Sequence, residues 1–394
     1  MILEKGMIFK RNLLVLFLLV TVIGTHDILA CTTFCLKNKG EVLFGKNYDW
    51  MIGDGMIFVN KRSVSKMSGA EKNPARWSSK YGSITFNQYG REAPSGGMNE
   101  AGLVIELMWL DDTRYPQPDK RAEVDVLEWI QYNLDTAASV ADVIKSAEAI
   151  RISSPVKLHY LTSDREGNSA TIEFLDGKLV AHTGESLPVA TLTNDTYASS
   201  LDFSRKAAAP QSASSLDRFA RASKKTSEFV AQAKNESEAV DYAFEVLADA
   251  AQKGYTQWSI VYDQRRGRIH FRTRKSPAIK SLDLNGFDYT CGSTVKMLDI
   301  DTAEKGDAVS RFKTYSRTAN RDLIERAFNG TDFLKNVPGR ARDLYADIPD
   351  KFSCAVNNPQ KDSAAKRTAV ANNVDYIRDL ALRLYLFYLG MSRS

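Results

Sequence analysis

Cys31 directly follows Ile28-Leu29-Ala30, and what precedes it decides what chemistry it can do. Lys10 and Arg11 lead into eleven uncharged residues, Leu13–Ile23, and then the polar stretch Gly24–Asp27. A basic start, a short apolar run and a small residue before the cut form the pattern of a secretory signal. The run is shorter than the roughly 20 residues that cross a bilayer. No later stretch is long and apolar enough to do so either. The expectation is cleavage after Ala30, so that residues 1–30 are a signal peptide and the product is exported, periplasmic or secreted. Met7 is an alternative start with a more compact basic region.

A cysteine at a new amino terminus carries a thiol and a free α-amino group on one residue. That amine has a reference pKa of about 7.7–8.0, against about 10.4 for lysine. Near pH 7 part of it is neutral and can take the thiol proton, directly or through a water. The thiolate then attacks without help from a histidine. The chain has 4 histidines. Of these, His159, His182 and His270 are scattered and never at metal-ligand spacing, which argues against a zinc site or a histidine-based triad. No metal or organic cofactor is implied. Two other readings of Cys31 stay open. Ile28-Leu29-Ala30-Cys31 can be read as a lipoprotein box with Cys31 acylated, although Leu29 and the polar Thr25-His26-Asp27 fit it poorly. Alternatively the cut falls elsewhere and Cys31 is a core thiol.

The elements that must position such a nucleophile can be read from composition and periodicity. The 394 residues are 43% apolar and 26% charged, which excludes disordered, coiled-coil and collagen-like classes. The net charge of +5 comes from mixed charges without dense basic runs, so there is no case for nucleic acid as a partner. Cys31–Lys37 and Glu41–Asn47 read as strands joined by Asn38-Lys39-Gly40, a hairpin signal. Further strands are expected at Ser83–Gln88, Leu103–Leu110, Leu158–Thr162, Ala170–Phe174, Lys178–Ala181, Val189–Thr193, Gln257–Asp263 and Arg268–Thr273. Apolar spacing of three and four predicts helices at Glu123–Leu134, Ser139–Ala149, Asp217–Ala233 and Glu236–Ala251. Strands in hairpins with helices in pairs between them make the class α+β with antiparallel sheets. Residues 301–364 turn polar and charged, and Ala365–Leu389 reads as a closing amphipathic helix. Of the other cysteines, Cys35, Cys291 and Cys354, at least one stays free; a Cys291–Cys354 disulfide is one option.

The expected mature start, CTTFCLKNKGEVLFGKNYDW, resembles the choloylglycine hydrolase family, the bile salt hydrolases and penicillin V acylases. GMNEAGLVIELMWLDDTRYP (Gly97–Pro116) and HYLTSDREGNSATIEFLDGKLV (His159–Val180) are similar to later blocks of that family. LTN (Leu192–Asn194), SSLDRFARA (Ser214–Ala222) and TQWSIVYD (Thr256–Asp263) follow in the same order. The resemblance covers roughly Cys31 to Thr273 and leaves the tail beyond about residue 300 unexplained. It implies a four-layer αββα sandwich of two antiparallel sheets, the N-terminal nucleophile hydrolase fold, over residues 31–300. Residues 301–394 would then be an extension packing on the same domain.

The resemblance also assigns roles. Cys31 matches the nucleophile, and Asp49 the acid that keeps amine and thiol in register. Asn194 matches an oxyanion donor, with a backbone N–H near Trp109 as the second. Arg218 matches the arginine beside the nucleophile, with Arg221 as its rival one turn on. Lys46 stands where the family usually has arginine, so a two-pronged donor is replaced by a point charge that orients Asp49 or the substrate. Trp109 falls at a pocket position that varies with substrate, and a tryptophan there resembles the Gram-negative branch. The 23 residues between Asn194 and Arg218 agree with that branch. Trp50, Trp77 and Trp109 are candidates for an apolar acyl pocket. Gly97, Asn99 and Gly102 read more simply as turn residues. The implied function is an exported amidohydrolase that cleaves linear N-acyl amides, of the conjugated bile salt, penicillin V or acyl-homoserine lactone type, through a thioester. An acyltransferase of the same fold and a non-catalytic lipoprotein are the alternatives, and assembly into a homo-oligomer is left open.

Overall fold

The computed structural model describes residues 31–38, 40–70, 72–207, 211–229 and 235–355. The expected signal segment and the helix expected at Ala365–Leu389 lie outside the described residues. Two large sheets face one another. The first has seven strands in the order Thr191–Leu192, Thr32–Asn38, Glu41–Asp49, Thr256–Asp263, Arg268–Thr273, Lys280–Asp283 and Gly306–Asp307. The second has nine: Lys178–Thr183, Ser169–Leu175, Leu158–Ser163, Val104–Trp109, Pro94–Asn99, Ser83–Asn87, Met56–Asn60, Lys296–Asp299 and Lys313–Thr314. Pairing is antiparallel throughout both sheets except where Gly306–Asp307 joins the first.

Strand alternation sorts side chains into layers. On Thr32–Asn38, Phe34 and Leu36 point out to the helices Ser215–Glu228 and Glu236–Asp249, where they meet Ala222, Ala243, Phe244 and Leu247. Cys31 and Cys35 instead face the layer between the sheets, with Phe44, Tyr48, Met108, Trp258 and Tyr262. The outer face of the second sheet is covered by Val126–Thr136 and Val140–Ala149, through Trp129, Ile130, Leu134 and Val143 against Tyr160 and Ile172. The order of layers is therefore helix, sheet, sheet, helix. Both covering helices on this side start with reciprocal caps, Asp125 with Glu128 and Ser139 with Asp142. Each such cap satisfies amides that the first turn leaves free.

Two features depart from the sequence reading. Gly97 is not a turn residue: it lies inside the strand Pro94–Asn99, whereas Asn99 ends that strand and opens the turn to Gly102, accepting from the Ala101 and Leu103 amides, with Gly102 at φ +84°. Glycine is required in that strand by close approach. A Cβ at Gly97 would lie 2.4 Å from the Ile84 carbonyl oxygen, and one at Gly96 would lie 2.1–2.3 Å from the Glu106 carboxyl group. Beyond residue 300 the polar composition conceals the helices Arg317–Asn329 and Gly339–Ala346. Leu323 packs on Met56 and Phe58 of the second sheet, and Cys354 is bonded to Cys291. Cys31 and Cys35 remain free thiols.

Candidate active site

Cys31 immediately precedes its strand, and the register that sets Thr33 against Lys46 brings it to the end of the neighbouring strand, at Asp49. Its Sγ donates to the Asp49 carbonyl oxygen at 3.9 Å. Burial pushes the thiol above its ordinary value, and the Lys46 ammonium is the main opposing influence. Asp49 is itself fully buried, and one carboxylate oxygen accepts from Thr256 Oγ1 at 2.5 Å. The other oxygen, Oδ2, is buried without a hydrogen-bond partner among the described residues. Burial pushes this carboxyl up to about 6, against the pull of Arg218, Thr256 and Lys46.

Arg218 arrives from the first turn of Ser215–Glu228, a helix whose start is set by Ser214 accepting from the Asp217 amide. Its guanidinium is fully buried and donates to the Cys31 carbonyl oxygen at 2.9 Å, to Thr32 Oγ1 at 2.6 Å and to Asn194 Oδ1 at 3.3 Å. Arg221, one turn on, faces away and bonds the carbonyls of Ser212 and Asp249. The geometry thus separates the two arginines. Arg218 grips the backbone of Cys31 and counters the charge of Asp49, whereas the cation acting most on the thiol is Lys46.

Asn194 follows the edge strand Thr191–Leu192, with its backbone amide held by Ser215 Oγ at 2.8 Å. Its Nδ2 donates to the Trp109 carbonyl oxygen at 2.8 Å. Trp109 therefore meets Asn194 with an acceptor, and one amide proton of Asn194 has no acceptor among the described residues. The Trp109 indole is half-buried and donates to Asp111 at 2.8 Å.

Lys46 shares the inner face of its strand with Phe44 and Tyr48 and has no exposed surface. Its ammonium donates to the Leu107 carbonyl oxygen and lies 3.7 Å from Glu106 Oε2. Glu106, which sequence reasoning missed, accepts from Tyr262 Oη at 2.5 Å, and burial raises its carboxyl to about 7. A charged residue inside the apolar run LVIELMW was the available signal, since a buried charge needs a partner. Thr256, Thr32 and Ser215 were also missed, because hydroxyl side chains announce no partner from sequence.

Other candidates lie outside the constellation. Asn47 ties its strand to the helix Glu236–Asp249, donating to the Leu247 carbonyl and accepting from Ser259. Asn99 bonds the Leu134 and Ala137 carbonyls. Trp77 belongs to the small outer sheet and donates to Asp135; it packs with Trp109 against one core cluster, and Trp50 packs against another. Among the described residues, no group of three or more His, Cys, Asp or Glu is arranged to hold a metal. Among them, no helix is long and apolar enough to cross a membrane.

Comparison with known proteins places this geometry. The model of the linear amide C–N hydrolases, choloylglycine hydrolase family, matches residues 31–204. The chain is 26% identical over 359 residues to a penicillin V acylase of Pectobacterium atrosepticum, covering 77% of this chain and 95% of the relative. The structure of penicillin V acylase from Agrobacterium tumefaciens superposes with a TM-score of 0.65 at 27% identity, over 73% of this chain and 98% of that one. A variant of conjugated bile acid hydrolase from Clostridium perfringens shares the fold, with a TM-score of 0.59 at 18% identity, over 69% of this chain and 98% of that one.

Proposed function

We propose, from the premise that the chain belongs to the choloylglycine hydrolase family of linear amide C–N hydrolases, that it is exported and becomes active when cleavage after Ala30 frees the amino group of Cys31. The observation that carries this reading is the unpartnered Asp49 Oδ2, buried beside Cys31. An ammonium on Cys31 is the partner that such an orphaned carboxylate oxygen lacks.

In this reading the neutral α-amine takes the Cys31 thiol proton and the thiolate attacks the amide carbonyl carbon. The free amide proton of Asn194 stabilises the oxyanion that forms. Collapse breaks the C–N bond, and the departing nitrogen takes the proton back from the α-ammonium. A thioester remains on Cys31; water, with the amine again as base, releases the acid and restores the thiol. The penicillin V acylases of Pectobacterium atrosepticum and Agrobacterium tumefaciens are 26% and 27% identical to the chain, which favours a phenoxyacetyl-type amide, with penicillin V as the first substrate to try. The test is intact mass of the exported protein together with turnover of penicillin V and of glycine- and taurine-conjugated bile salts. A free amino-terminal Cys31 and release of the acyl acid are expected. A diacylglyceryl adduct, or full activity with the amine blocked, overturns the reading; acyl transfer to an added amine in preference to water would make the protein an acyltransferase.

A further inference from the structure

Residues beyond 300 lie outside the motifs that identified the site, yet they reach it through one loop. Trp50 directly follows Asp49, and its backbone is fixed by the Tyr255 carbonyl at 3.0 Å and by Gln257 Nε2 at 2.7 Å. Its indole Nε1 donates to Tyr89 Oη at 2.8 Å. Tyr89 Oη in turn lies 3.1 Å from Thr331 Oγ1, at the end of the C-terminal helix Arg317–Asn329. Two more contacts converge on the same loop. A Cβ at Gly330 would lie 2.5 Å from Ile52 Cγ2, and Arg326 Nε donates to Asp54 at 2.9 Å. Gln88 holds the loop from the second sheet, donating to the Ile52 and Asp54 carbonyls. Between these anchors Met51 stands 40% exposed, the large apolar side chain left open to solvent among the described residues.

We propose that the C-terminal segment 326–331 positions the Trp50–Asp54 loop and thereby sets which acyl groups the site accepts, with Tyr89 as the positioning residue that links the two. The inference rests on the amidohydrolase reading above. While Ile52 packs on the C-terminal helix, a loop that begins at the residue after Asp49 and carries Trp50 and the exposed Met51 is suited to an apolar acyl group. Its position depends on contacts more than 270 residues away in sequence. Tyr89 is suited to this linkage because its oxygen accepts from Trp50 and still has a proton to offer Thr331.

The test uses the full-length processed enzyme with Tyr89→Phe, Thr331→Val and Gly330→Ala. Gly330 has φ −84°, so alanine fits the backbone; its Cβ would press hardest on Ile52 and more lightly on the Arg326 carbonyl oxygen at 3.3 Å. Substrates share one leaving amine and carry phenoxyacetyl, phenylacetyl, or short, medium and long linear acyl groups. Losing one hydrogen bond that holds the loop is expected to raise KM about five-fold for the preferred acyl group, with kcat within about two-fold. The order of preference along the series should shift, most of all in Gly330→Ala. An equal change in kcat/KM for every acyl group, or unchanged kinetics with only a lower Tm, overturns the inference. If the parent enzyme hydrolyses the amides while all three variants match it, this inference alone fails. If the parent hydrolyses none of them, the amidohydrolase reading fails and takes this inference with it.

Discussion

Cys31 and Cys35 lie four residues apart, face the same layer between the sheets and are both buried, yet their surroundings differ in kind. Cys35 has the hydroxyl groups of Ser169 and Ser163 and the carboxylate of Asp164 near it, and burial drives its thiol up to about 12. Cys31 has the ammonium of Lys46 on one side and the Asp49 carbonyl on the other, while Arg218 holds its backbone. Burial raises both thiols; at Cys31 the Lys46 ammonium opposes that rise, whereas at Cys35 only hydroxyl groups do. Two buried cysteines four residues apart are therefore unequal in their surroundings, and that difference comes from other strands and helices.

The sharpest way to break the comparison is to exchange the proposed nucleophile. Cys31→Ser should lower turnover by several orders of magnitude while the protein still folds, because a serine hydroxyl is far less acidic than a thiol. Comparable activity in that variant, measured as release of acyl acid, would remove Cys31 from the reaction. Asn194→Ala comes next. If its free amide proton serves the oxyanion, kcat should fall about 10²-fold with little change in KM, since the bond matters once charge has developed. A rise in KM at constant kcat would instead make Asn194 a substrate ligand.

Lys46→Met probes the cation itself. The ammonium lowers the thiol pKa, so removing it raises that pKa, and the acidic limb of the pH–rate profile should move to higher pH by about one unit. At a fixed pH below the limb this is about a ten-fold loss. Arg221→Ala should leave the profile where it was, and a shift there would show that the wrong helix turn had been placed at the site. The smallest effect belongs to the second thiol. Cys35→Ala should change kcat/KM by less than about two-fold, with a modest loss of Tm from the small cavity it leaves. If Cys35→Ala silenced the enzyme as Cys31→Ser is expected to, the difference drawn between the two cysteines would be void.

Much of this site was readable from one strand pair. Cys31, Lys46 and Asp49 fall in a single hairpin of alternating residues, so their spacing in sequence is nearly their spacing in space. Period-two and period-three-to-four patterns likewise locate most strands and the four helices that cover the two sheets, because those faces are apolar over their whole length. The strand Pro94–Asn99 was hidden for the opposite reason: proline and two glycines carry no strand preference, and the strand exists because Ile84 and Glu106 leave no room for a Cβ.

What sequence brought forward by itself are the candidate groups: a cysteine that the proposed cleavage would place at an amino terminus, and an acid at the end of its hairpin. What only the tertiary structure decided is which charges reach them. Arg218 and Arg221 are both plausible in SSLDRFARA, and one turn of helix sends the first to the Cys31 carbonyl and the second to solvent-side carbonyls. Glu106 and Lys46 come from different sheets, and nothing in either strand announces the other. Trp50 and Thr331, far apart in sequence, are joined through the one hydroxyl of Tyr89. Electrostatic and packing partners are set by distance in space, and sequence separation carries almost no information about that distance once chains cross between layers.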